Sequence, residues 1–108
     1  MIGKAIKAME LKKPAIAGTL ESSDVQIMVS PNPGKGIDLR IKSDVFSMFG
    51  KAIEKTVREI LADFGVSDAV VELNDKGALD YVIRARMQCV ICRAAEIRYD
   101  WGKEDPND

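Results

Sequence analysis

A change of hydrophobic period along the chain limits its possible folds more than any other feature. Val25, Ile27 and Val29 alternate with Gln26, Met28 and Ser30, and Ile37, Leu39 and Ile41 alternate with Asp38, Arg40 and Lys42. A period of two is that of half-buried strands, whose successive side chains point to opposite faces. From residue 45 onward the spacing lengthens to three and four. Val45, Phe46, Phe49, Ile53, Val57, Ile60, Leu61 and Phe64 form one stripe, and Leu79, Val82, Ile83, Met87, Val90, Ile91 and Ala94 form a second. Each is the apolar face of an amphipathic helix. Ser43 or Asp44 can cap the first helix, and Gly65 supplies its stop.

The intervening segments complete the order. Pro14 ends any helix begun by the short apolar series Ile2, Ala5, Ile6, Met9 and Leu11. Ala15–Leu20 reads as extended, and Glu21-Ser22-Ser23-Asp24 has turn composition. The cluster Pro31-Asn32-Pro33-Gly34-Lys35-Gly36 predicts a loop joining the two alternating strands as an antiparallel hairpin. Ala69–Leu73 is strand-like by content. The expected fold is α+β with order β-β-β-α-β-α, a two-layer arrangement in which two helices cover one face of a small antiparallel or mixed sheet. Residues 1–13 read as an N-terminal extension, 14–100 as the domain and 101–108 as an acidic tail that frays.

Composition narrows the function. A chain of 108 residues, 46% hydrophobic and 31% charged, has the make-up of one globular domain. Sixteen basic against seventeen acidic residues leave no field of the kind that gathers nucleic acid. No segment approaches the length of a membrane helix or has the core of a signal peptide, so the expected location is cytoplasmic, with neither nucleic acid nor membrane as partner. There is no histidine, which removes Ser-His and Cys-His nucleophilic sites. Cys89 and Cys92 fall inside a helical pattern, whereas a redox Cys-x-x-Cys places its attacking thiol at a helix N-terminus. Gly34-Lys35-Gly36 lacks the spacing of a phosphate-binding loop and leads into a strand. Asp80 and Arg84 stand four apart and can pair on a solvated face.

The corner Gly18–Asp24 differs in placing small hydroxyls in an accessible turn with no base beside them. Ser22 and Ser23 there are either turn formers or a hydroxyl suited to modification rather than catalysis.

Ala17-Gly18-Thr19-Leu20-Glu21-Ser22-Ser23-Asp24 resembles the N-terminal signature of the citrate lyase acyl carrier proteins, the gamma subunits of that complex. Asp75-Lys76-Gly77-Ala78-Leu79-Asp80, followed by Val82-Ile83-Arg84-Ala85-Arg86, resembles the family's second distinctive block, and Phe49-Gly50-Lys51-Ala52-Ile53 fits between them. The resemblance implies a non-catalytic carrier subunit of a multi-subunit lyase. Ser22 would bear, through a phosphodiester, a 2'-(5''-phosphoribosyl)-3'-dephospho-coenzyme A arm, with Ser23 as the understudy. The arm would hold acetyl and citryl thioesters while alpha (acyl transferase) and beta (citryl lyase) subunits convert citrate to acetate and oxaloacetate. A prosthetic-group transferase would install the arm. Glu21 and Asp24 would then repel its phosphates or meet basic residues of a partner, while Lys76, Arg84 and Arg86 could contact those phosphates or a partner subunit. The carrier of a malonate decarboxylase-like complex and an unmodified interaction module are the alternatives.

Overall fold

The computed structural model describes residues 9–44 and 46–97, apart from the side chains of Phe46 and Ser47. The strands are β1 (Ala15–Gly18), β2 (Val25–Pro31), β3 (Ile37–Ser43) and β4 (Ala69–Asp75), and the helices are α1 (Phe46–Asp63) and α2 (Asp80–Ala95). The order is β-β-β-α-β-α, and the fold is α+β as expected.

The sheet runs β1-β2-β4-β3. β1 and β2 are antiparallel, as are β2 and β4, while β3 and β4 are parallel. The predicted β2–β3 hairpin is therefore incorrect: the proline-glycine loop carries the chain past an empty position that β4 fills. The reason lies in the connections. An 18-residue helix separates β3 from β4, and a strand-helix-strand unit pairs its strands in parallel. β4 has apolar residues on both faces, Ala69, Val71 and Leu73 against Val70, which suits a central strand better than an edge.

One face of the sheet is covered. Ala17, Val25, Ile27, Val29, Ala69, Val71 and Leu73 are buried beneath Ile53, Val57, Ile60 and Leu61 of α1 and Ile83, Met87, Val90, Ile91 and Ala94 of α2. The helices pack on each other, α2 over β1 and β2 and α1 beside β3. The other face shows a row in register, Ile16, Met28, Glu72 and Arg40, whose last two members form an ion pair at 3.3 Å.

Most of the helix expected before Pro14, the expected opening of the domain's first helix at Val45 and the frayed tail of 101–108 lie outside the described residues. Within them, Met9–Lys13 is not helical. It is held against the domain: Leu11 is buried, and the Lys12 and Lys13 N–H groups donate to the Ala94 carbonyl at 2.8 and 3.2 Å. That carbonyl is in the last turn of α2, where no intrahelical donor remains to satisfy it.

Candidate functional site

The strand register brings together segments far apart in sequence. Val25 is opposite Asp75, and Ser43 is opposite the same residue on the other side. The β1–β2 corner, the end of β4, the end of β3 and the N-termini of both helices thus share one end of the molecule. A loop cavity of about 420 Å3, lined in part by Pro31, Pro33, Ser67 and Asp68, lies at the opposite end.

At the shared end Ser22 is exposed on a tight turn. The Asp24 N–H donates to the Glu21 carbonyl at 3.1 Å, closing Glu21–Asp24, and Ser23 has φ of 67°. A positive φ at the third residue alone is the geometry of a type II turn. Two backbone bonds continue the β2–β4 ladder beneath it, Lys76 N–H to Asp24 carbonyl at 2.9 Å and Ser23 N–H to Lys76 carbonyl at 2.8 Å. The sequence's two distinctive blocks meet in these bonds.

Asp24 anchors the corner. Its carboxylate accepts from the Arg86 Nε and Nη2 at 3.1 and 3.0 Å, from Thr19 Oγ1 at 2.7 Å and from the Val25 N–H at 2.7 Å. The forked guanidinium contact is the strong form of a carboxylate pair. With Arg86 as the main cause and Thr19 next, these bonds outweigh desolvation and hold the Asp24 carboxyl at about 2, below its ordinary 3.8. Gly18 makes room for the clamp. Its φ is +86°, and a Cβ there would stand 1.8 Å from the Val25 carbonyl oxygen and 3.3 Å from Cδ of Arg86.

The charged residues singled out in sequence therefore separate. Arg86 reaches the serine corner and is committed to Asp24, so Asp24 is not a free charge that repels phosphate; Glu21, exposed, retains that possibility. Arg84 points to the helix pair, binding Asp80 at 2.6 Å and Glu59 at 2.9 Å. Lys76 lends its backbone to the turn while its Nζ is 3.6 Å from Asp44. Cys92 is buried, with its thiol pushed up chiefly by desolvation, an inert packing residue. The Arg86–Asp24 pair, 62 residues apart, was missed in sequence; once α2 is laid over β1 and β2, the signal is a basic residue one turn from buried Ile83 and beside buried Met87.

A cavity of about 330 Å3 opens beside the corner, walled by Phe49, Ala52 and Ile53 of α1 and by Ala78, Leu79 and Ile83 at the start of α2. Asp75 and Asp80 are its acidic members. Asp75 is buried at 2% exposure and accepts from Ser43 Oγ and the Ala78 N–H, both at 2.8 Å.

Comparison with known proteins places this small two-layer domain in the class of acyl carrier proteins. The family model described as "Malonate decarboxylase delta subunit (MdcD)" matches residues 12–94. The chain is 50% identical over 95 residues to a citrate lyase acyl carrier protein of Clostridium perfringens, covering 87% of this chain and 94% of that one. It is 53% identical over 90 residues to that of Lactococcus lactis, covering 83% and 93%. The chain belongs to the citrate lyase acyl carrier protein family. Its fold resembles a chain of a Pseudomonas malonate decarboxylase hetero-tetramer solved with malonate, with TM-score 0.70 and 14% identity over 81% of this chain and 89% of that one. Among the described residues no helix is long and apolar enough to cross a membrane.

Proposed function

We propose that the chain is the acyl carrier subunit of a citrate lyase and that Ser22 is the attachment point of its 2'-(5''-phosphoribosyl)-3'-dephospho-coenzyme A arm. The observation that carries this reading is the exposed Ser22 on a turn braced from below by the Asp24–Arg86 fork. The residues suit such a group. Ser22 is an exposed residue with a hydroxyl to offer a modifying enzyme, and Leu20, Glu21 and Ser23 around it are exposed, leaving space for a bulky phosphodiester.

The arm supplies a thiol for thioester chemistry. The chain supplies attachment, a fixed exit direction and docking, so that a tethered acyl group meets each partner active site at high effective concentration. Catalysis belongs in this reading to the alpha (acyl transferase) and beta (citryl lyase) subunits, and loading to a prosthetic-group transferase, in the cytoplasm. The relatives' names support the citrate assignment.

Intact-mass measurement after co-expression with the transferase tests it. An adduct of the arm's mass, mapped to Ser22 and lost in Ser22→Ala but not in Ser23→Ala, is expected; an unchanged mass with an active transferase would replace the carrier by an unmodified interaction module. The family model's description and the fold neighbour favour a second reading, the carrier of a malonate decarboxylase. Loaded protein that supports citrate cleavage by citrate lyase alpha and beta subunits, and not malonate decarboxylation, separates the two.

A further inference from the structure

The cavity between the starts of α1 and α2 has no part in bracing the serine turn, yet it opens at the same end of the fold. Gly77 lines it, and Gly77 directly follows Lys76, whose carbonyl accepts the Ser23 N–H at 2.8 Å. Through that bond and standard backbone lengths, the Cα atoms of Ser22 and Gly77 are at most about 10 Å apart. Ser22 therefore lies within about 10 Å of a residue that lines the cavity.

The lining selects among the parts of such a group. Phe49 and Leu79 stand exposed at the rim, 51% and 61% accessible, beside exposed Ala52, with Ile53, Ala78 and Ile83 behind them. Large exposed apolar side chains beside a formed cavity are characteristic of ligand sites. Among the described residues no basic side chain lines it, and Asp75 and Asp80 make its polar groups acidic. Asp80 is compensated by Arg84, whereas Asp75 has no cation within ion-pair distance among the described residues. Phosphate or a free carboxylate is disfavoured there, and a neutral, partly apolar chain is favoured.

We infer that this cavity is a resting site for the uncharged, acyl-bearing end of the arm attached to Ser22, taking it when the acyl group is neutral and releasing it when the acyl group carries a carboxylate. The inference rests on the attachment reading above. A small neutral thioester is sheltered from water between visits to the partner subunits, and a carboxylated one is presented outward.

The test uses loaded full-length protein whose adduct at Ser22 is verified by mass, bearing either an acetyl or a succinyl thioester. Backbone amide shifts are recorded for both, and loss of each acyl group to hydroxylamine is followed by intact mass. With three-quarters of the arm at rest in the cavity, the acetyl group is lost about fourfold more slowly than from a fully exposed arm. Acetylation is expected to shift the amides of Gly77–Leu79 and Phe49–Ile53, and succinylation is not. Ala52→Phe, which fills the cavity from an exposed helix position, and Leu79→Asp, which adds charge at the rim where aspartate also suits the N-cap, are each expected to abolish the protection. Shifts confined to residues 20–24, or equal protection of acetyl and succinyl groups, would overturn the inference while leaving the attachment intact. Protein without adduct would overturn both.

Discussion

Arg86 of α2 grips Asp24 of the β1–β2 corner through two hydrogen bonds, Nε to Oδ1 at 3.1 Å and Nη2 to Oδ2 at 3.0 Å, joining residues 62 apart in sequence. The Asp24 side chain is 15% exposed, so the contact is shielded more than an ordinary surface pair. Asp24→Ala is expected to cost about 1–3 kcal/mol in urea unfolding, because it removes charged hydrogen bonds and leaves the Val25 N–H and Arg86 without their acceptor. Arg86→Lys restores charge without the planar fork, and is expected to recover only part of the stability lost in Arg86→Ala. Equal stabilities for the lysine variant and the wild type would mean that the fork contributes nothing beyond its charge.

The same pair gives a pH dependence. The folded-state carboxyl of Asp24 sits at about 2, below its ordinary value of 3.8. A depressed carboxyl contributes stability that is complete above the unfolded value and is lost as pH falls toward the folded one. Unfolding free energies of the wild type and Asp24→Asn are therefore expected to differ by a constant amount above about pH 5 and to converge between about pH 4 and 2. Asp80, lowered chiefly by Thr56 and then Arg84, acts in the same direction in both proteins and cancels in the difference. A difference that does not change with pH would show that the charge of Asp24 is not the stabilising element.

The order of elements, the helix stripes and the exposed serine corner were legible because each is written in local periodicity or turn composition. The sheet order was not. Alternation in Val25–Val29 and Ile37–Ile41 says which face is buried and nothing about which strand lies beside which, and a proline-glycine loop makes a hairpin the shortest solution. β4 displaces it because its pairing with both neighbours, β2 antiparallel and β3 parallel, buries Val71 and Leu73 completely. The roles of Asp24 and Arg86 depended on that order. Only once α2 lies over β1 and β2 does a residue of the second sequence block face the first, so their partnership is tertiary information that no local pattern contains. Leu79, expected in the apolar stripe, is instead exposed at the N-cap of α2 and walls the cavity.

Gly18 should be the least tolerant position of the corner. A methyl group there meets the Val25 carbonyl oxygen at 1.8 Å, and backbone atoms of paired strands cannot move aside without breaking the register Gly18 to Gln26. Gly18→Ala is expected to lose more than about 2 kcal/mol, combining the clash with a φ disfavoured for alanine. Gly34 supplies the comparison. Its φ is +71° but a Cβ meets nothing within 4 Å, so Gly34→Ala should cost only the conformational part, about 1 kcal/mol. Denaturant midpoints for the two variants check this, and comparable losses would show that the close approach at Gly18 relaxes.

Ser22 and Ser23 are adjacent hydroxyls with different structural duties, and substitution should separate them. Ser23 carries φ of 67°, a conformation that costs a side-chain-bearing residue about 1 kcal/mol or more, and its N–H is spent on the Lys76 carbonyl. Glycine at this position keeps the N–H and removes the strain, offset in part by the freedom that glycine gains when unfolded. Ser23→Gly is thus expected to match or exceed the wild type in stability by up to about 0.5 kcal/mol and to accept the arm at the wild-type rate. Ser23→Val should lose stability, since a β-branched residue resists this region. Ser22 is exposed and is not among the positive-φ residues, so Ser22→Ala should leave stability unchanged while abolishing loading. Loading rates followed by intact mass, beside urea unfolding of the same variants, decide the matter: an arm retained in Ser22→Ala and lost in Ser23→Gly would move the attachment to the residue here assigned to the turn.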